Sequence, residues 1–282
     1  MSRLFIRLGI GLLFTIFALL NYWGNVSENP VTGEMQRIQI SPRQERVLGL
    51  ESREQIFRQY GGLYPDRSLQ AYVDKVGDRL IENSSASKSP YPFNFYLLRD
   101  TRTINAFALP GGQIFITTAL LGRLTSEAQL AGVLGHEIGH VVARHGAEHL
   151  SKQQLGLALV NAVGVAASDR PETSRQAAIL AQAVNEILTL KYGRDDELES
   201  DLLGFRFMVE AGYSPMGLVE LMNILASARG DSQLPEFFNT HPNPKNRIEK
   251  LKQIIAKNYP SGIPRELEEG TEKFNQVVSP RL

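Results

Sequence analysis

His136-Glu137-Ile138-Gly139-His140 is the segment of this chain whose residue types and spacing best fit a chemical task. A helix turns about 100° per residue, so residues four apart share a face, and His136 and His140 can offer two imidazole nitrogens to one Zn²⁺. Glu137 sits one step round, within reach of a water beside such an ion, where it can act as general base. Two histidines bracketing a glutamate in this way form a metalloprotease signature when they lie on a helix.

The surrounding sequence supplies that helix. Ser126-Glu127-Ala128-Gln129 reads as a capping box, and Leu130, Val133, Leu134, Ile138 and Val141 continue at helical spacing up to Gly146. A helix this apolar is buried, and three buried polar side chains on it need partners that a metal site would provide. Gly132, Gly135 and Gly139 share a face beside the histidines, so a second backbone, the Glu197 helix or a strand, can approach closely there.

A catalytic zinc takes three protein ligands and keeps one position open. A metzincin would need a histidine six residues after His140, where this chain has Gly146. His145 and His149, if they continue the same helix, point about 140° and 180° away from His140, and read as surface or structural histidines. The remaining source is a carboxylate from a second helix. Glu197 and Asp201, four apart in an acidic run, share a face, so one can bind metal while the other accepts the free N–H of a ligand histidine.

Four blocks now stand in chain order: Asn105-Ala106-Phe107-Ala108-Leu109-Pro110-Gly111-Gly112, His136 to His140, Glu197 to Asp201, and His241-Pro242 followed by Arg247. Together they resemble the membrane-associated gluzincin peptidases of the HtpX and BepA type, metallopeptidase family forty-eight, from about Asn29 to Leu251. The resemblance implies that His136, His140 and Glu197 bind one Zn²⁺, that Glu137 is the general base, and that Asp201 supports a ligand from behind. It places His241 beside the zinc, either donating to the oxyanion or filling the open position in a resting enzyme, and has Arg247 help to hold the cleft as a substrate-binding residue. Ser200 departs from the family's usual alanine. The resemblance is to a peptidase domain without tetratricopeptide repeats.

The expected fold is α+β: a mainly helical, zincin-like gluzincin domain with a small sheet whose edge strand lines the cleft. Residues 1–25 read as a signal peptide or N-terminal membrane anchor, 26–60 as linker and first helix, 61–258 as the peptidase domain, and 259–282 as a polar tail. Arg3 and Arg7 precede an uncharged run, Leu8 to Leu20, that as a helix spans about 20 Å against a bilayer core of roughly 30 Å. That length suits a signal peptide, whereas Tyr22 and Trp23 suit an anchor. Either way the catalytic domain faces outward, which predicts a cell-envelope, periplasm-facing location.

Asn25 to Ile40 reads as an extended linker. Ser41-Pro42-Arg43-Gln44 opens a helix closed by Gly61-Gly62, and Asp66 caps another with Leu69, Tyr72, Val73, Val76 and Leu80 inward. Phe93 to Arg99 and Gln113 to Thr118 read as strands. Between them Ala106, Phe107 and Ala108 form the edge that would hold an extended peptide by β-augmentation. The apolar run 155–167 reads as a core helix, and 168–174 as a turn into a helix reaching Leu190.

With 282 residues, 43% hydrophobic content and zero net charge, the chain can bury a sizeable core, and nucleic acid is not an expected partner. It has no cysteine, which leaves neither disulfides nor thiolate metal sites. The resemblance implies a zinc endopeptidase for misfolded or unassembled proteins. The alternative, a zinc-stabilised chaperone-like binding protein, would prefer four closed ligands and would have no use for Glu137.

Overall fold

The computed structural model describes residues 2–167, 182–183, 185–187, 190–228, 236–242 and 246–282. The turn expected at 168–174 lies outside them, as does most of the helix expected to follow. The described residues form a mainly helical α+β fold.

Helix α1 (Ser2–Gly24) extends beyond the uncharged run and exposes Phe5, Leu13, Phe17 and Trp23. Among the described residues no helix is long and apolar enough to cross a membrane. Strands β1 (Val26–Glu28) and β2 (Met35–Arg37) pair antiparallel, so the segment expected as an extended linker is a hairpin. Asn29 Oδ1 builds its turn by accepting from the N–H groups of Val31 and Thr32 at 2.9 and 3.1 Å.

Helix α2 (Pro42–Gln59) has the expected Ser41/Gln44 capping box with proline in its first turn. Helix α3 (Arg67–Glu82) is capped by Asp66 and buries Leu69, Tyr72, Val73, Val76 and Leu80. Strands β3 (Asn94–Leu98), β4 (Ala106–Leu109) and β5 (Gln113–Thr117) form one sheet in the order β3-β5-β4. β3 runs parallel and β4 antiparallel to β5, so β4 is an edge strand, as expected. Pro110-Gly111-Gly112 turns β4 into β5 with both glycines at positive φ. At Gly111 a Cβ would come within 2.5 Å of the Arg46 backbone, so α2 can seat against the turn only because that side chain is missing.

After the one-turn helix α4 (Thr118–Leu121) comes α5 (Glu127–Val142), in which every residue is buried. Ser126 caps it by accepting from Gln129 N–H at 3.2 Å, but the Gln129 side chain accepts from Thr125 N–H at 2.7 Å, so the reciprocal half of the expected box is displaced by one residue. The helix also stops short of Gly146. Arg144 has φ 59°, and α6 (His145–Ala167) sets off in a new direction and runs alongside α1. His145 therefore does not lie on the helix of His140.

Helices α7 (Arg194–Glu210) and α8 (Met216–Ser227) pack on α5. The glycine face works as expected for α7: a Cβ on Gly139 would lie 3.0 Å from Ser200 Cα, and one on Gly135 3.4 Å from Gly204 O. Gly132 instead faces the Leu218 backbone of α8. Helices α9 (Phe237–Thr240) and α10 (Arg247–Asn258) flank His241.

The segment 259–282, expected to be a polar tail, is docked. Its helix α11 (Thr271–Val277) buries Phe274, and Val278 follows into the same core. Buried Glu127 fastens it, accepting from Lys273 Nζ at 2.8 Å, from Tyr72 Oη at 2.7 Å and from Tyr213 Oη at 3.0 Å. Two inward residues in so short and charged a stretch make too weak a periodicity to read in advance.

Candidate metal centre

Three elements converge on one point. From α5, His136 Nε2 and His140 Nε2 lie 3.1 Å apart. From α7, Glu197 places Oε2 3.6 Å from His136 Nε2 and Oε1 3.4 Å from His140 Nε2. Just after α9, His241 Nδ1 lies 3.0 Å from Glu197 Oε1 and 3.4 Å from His136 Nε2. The four ligand atoms all fall within 4.8 Å of one another, and all four residues are buried. Zinc bonds of about 2.0 to 2.1 Å imply tetrahedral edges of about 3.4 Å, and these separations match that figure. Two nitrogen lone pairs facing each other and a carboxylate in the core have no other evident reason to converge, so the donor set fits zinc.

Glu137 stands beside this set with no ligand role. Neither of its carboxylate oxygens has a hydrogen-bond partner among the described residues, and it is fully buried. Burial pushes its carboxyl above the ordinary range, offset in part by His241 and His136. His241 Nε2, which has no hydrogen-bond partner among the described residues, lies 3.6 Å from Oε1. Burial also keeps the His140 imidazole well below its usual value and therefore neutral, as a ligand must be. Burial alone would raise Glu197, yet His241, His140 and Arg247 hold its carboxyl well below the usual range.

Behind the set lies a second layer. Asp201 Oδ1 is 3.1 Å from His136 Nδ1. Arg247 is a correction: expected at the cleft, it is completely buried, donating from Nε and Nη2 to the two Asp201 oxygens at 2.6 and 2.5 Å and from Nη1 to Glu197 Oε2 at 2.5 Å. It faces the carboxylates and not the cleft. His145, expected to be a surface or structural histidine, is buried and contacts His140 Nδ1 at 2.9 Å. Two further residues escaped the sequence. Tyr192 stacks on the His140 ring at 3.8 Å, and Phe237 stacks on His241 at 4.4 Å. Single aromatics outside any periodic segment carry no signal of such contacts.

A cleft beside the metal set is lined by Phe107, Ala108 and Leu109 of β4, Ile187, Leu190 and His241. Thr117 N–H donates to Asn105 O at 3.0 Å, and alternation along the antiparallel pair from that point makes Phe107 and Leu109 the residues bonded to β5. The backbone N–H and C=O of Ala106 and Ala108 therefore point away from β5, off the open edge.

The sequence matches the description "Peptidase family M48" over residues 67–255. It is 34% identical over 191 residues to the beta-barrel assembly-enhancing protease of Yersinia pestis, covering 65% of this chain and 38% of that protein. The corresponding protein of Escherichia coli K12 is 32% identical over 199 residues, 68% of this chain and 40% of its own length. Mitochondrial metalloendopeptidase OMA1 of Bos taurus is 29% identical over 265 residues, 90% of this chain and half of that protein. The chain thus spans about two fifths of the length of the first two relatives.

Proposed function

The chain belongs to peptidase family M48, a family of zinc metallopeptidases, and on that footing we propose that it is a zinc-dependent endopeptidase in which His136, His140 and Glu197 hold the ion and Glu137 is the general base. The observation that carries this reading is the partnerless buried carboxylate of Glu137 beside a four-donor set and an open sheet edge. Zinc bound there supplies a Lewis acid that polarises the scissile carbonyl and acidifies water. Glu137 accepts the proton of the attacking water and returns it to the leaving amine. Asp201 orients His136, and Arg247 holds the carboxylates of Asp201 and Glu197 in place. His241, with Nδ1 3.0 Å from Glu197 Oε1, would either complete the donor set or donate to the oxyanion.

The purified protein should cleave casein, lose that activity to a chelator and regain it with Zn²⁺. His136→Ala, His140→Ala and Glu197→Ala should each lose the ion, while His241→Ala keeps one per chain. A wild-type zinc content in Glu197→Ala would mean that another carboxylate is the third ligand. Loss of the ion in His241→Ala would make His241 a permanent ligand.

Substrate peptide lies along β4 and pairs with the outward N–H and C=O groups of Ala108, while Phe107 shapes the cleft; Ala106, expected to share in this, is fully buried and lies outside the cleft lining. Recognition through backbone suits unfolded clients, since it depends little on side chains. Ala108→Pro removes one outward donor and leaves the β5 ladder intact. Casein cleavage should fall at least tenfold with zinc content and helical signal unchanged. Full activity in a folded Ala108→Pro protein would remove β4 from substrate binding.

The clients are misfolded or unassembled proteins outside the cytoplasm, and the exposed apolar side chains of α1 rest on a membrane. Relatives named for β-barrel assembly and for mitochondria support an envelope or membrane setting. Cell fractionation that leaves the whole chain in the cytosol would reject this placement.

A further inference from the structure

The break after α5 re-aims a histidine at the metal set. Had the helix continued, His145 would point about 140° from His140. Arg144 instead adopts φ 59°, a conformation that residues carrying a Cβ avoid unless their surroundings impose it. The surroundings do so here. Arg144 Nε donates to the buried Glu45 carboxylate at 3.0 Å, and its Nη2 pairs with Glu45 and donates to Ile40 O. The hairpin grips the same end: Asn29 Nδ2 donates to Val142 O at 2.8 Å and Gln36 Nε2 to Ala143 O at 2.5 Å. The result is that His145 Nδ1 reaches His140 Nδ1 at 2.9 Å while its Nε2 lies 3.1 Å from Glu199 Oε2.

One arrangement of protons uses both contacts. A ligand histidine that meets the metal through Nε2 carries its proton on Nδ1, so His140 donates and His145 Nδ1 accepts. His145 then carries its own proton on Nε2 and donates it to Glu199. Asp196 Oδ1 lies 4.0 Å from His145 Nε2, beyond hydrogen-bond distance, while its Oδ2 accepts from His149 Nε2 and Gly193 N–H, both at 2.7 Å. Ser200 Oγ, 3.5 Å from His145 Nδ1, closes the remaining side.

We infer that His145, anchored by Glu199, is a positioning residue that fixes the tautomer and ring orientation of the zinc ligand His140, and that the strained turn at Arg144 exists to deliver it. This rests on His140 being a zinc ligand. The two histidine ligands are then held from behind by different means, His136 by the Asp201 carboxylate under Arg247 and His140 by the His145 ring.

The test is zinc affinity by chelator competition, with Co²⁺ absorption spectra as a second readout and melting of the metal-free proteins as a control for packing. His145→Leu should bind zinc about 10- to 100-fold more weakly, the usual effect of losing a partner behind a metal ligand. His145→Asn, whose carbonyl can take the place of Nδ1, should recover most of that affinity and the wild-type Co²⁺ spectrum, which a general packing role would not predict. Glu199→Gln, at a partly exposed position that tolerates change, should show a smaller loss in the same direction and serves if His145→Leu does not fold. Wild-type affinity in folded His145→Leu, or in Glu199→Gln where only that variant folds, overturns the inference while leaving the metal site intact. A wild-type protein that binds no zinc overturns the metal site and this inference together.

Discussion

Replacing Glu137 with glutamine should leave one zinc per chain and lower kcat for casein by about 10²- to 10⁴-fold, the range that a positioned general base contributes. The substitution is nearly isosteric, and Glu137 has no hydrogen-bond partner among the described residues, so its replacement breaks none of the described hydrogen bonds. An amide cannot take the proton, so the loss should fall on kcat, with KM little changed. Measuring zinc content, kcat and KM on one preparation separates this outcome from damage to the ligand set. Turnover within twofold of wild type in the zinc-loaded variant would assign the base elsewhere, and His241 Nε2, 3.6 Å away, would be the next group to test.

The second large effect is expected at Arg247. Its guanidinium is fully buried and forms a two-pronged pair with Asp201 and a third bond to Glu197. Removing one partner of a buried ion pair leaves uncompensated charge in the core, which destabilises by about 3 to 5 kcal/mol. At about 2 to 4 °C per kcal/mol for a domain of this size, Arg247→Ala should melt some 6 to 20 °C lower in its metal-free form. Arg247→Lys should recover only a small part, because an ammonium cannot match the planar fork that meets both Asp201 oxygens. Burial alone would raise the Asp201 carboxyl, and Arg247 with His136 holds it below its ordinary value, so the pair is ionised as found. A metal-free Arg247→Ala protein that melts within 2 °C of wild type would show that the two carboxylates find other compensation.

The residues of the site divide by how far apart in the chain their causes lie. His136, Glu137 and His140 were legible because one turn of helix fixes their relation, and a buried apolar helix needs no information beyond its own spacing. Glu197 and Asp201 followed from the same rule on a second helix, and the edge position of β4 followed from the Pro110-Gly111-Gly112 stop beside a short apolar strand. The chain by itself therefore determined the pairing of His136 with His140, the acidic helix that faces them and the turn that makes an edge strand, all of them consequences of local backbone geometry. Tertiary contacts decided the rest. Arg144 takes its left-handed turn because Glu45, some 99 residues earlier, and the Asn29 and Gln36 side chains hold the end of α5, and only that turn brings His145 to His140. Arg247 sits behind the carboxylates and not in the cleft because Asp201 and Glu197, buried together, need a cation between them. The last helix docks because Glu127 needs the donors that Tyr72, Tyr213 and Lys273 bring from three separate segments. In each case a buried charge or an unpaired carbonyl is satisfied by a residue far away in sequence, and no window on the sequence holds both partners at once.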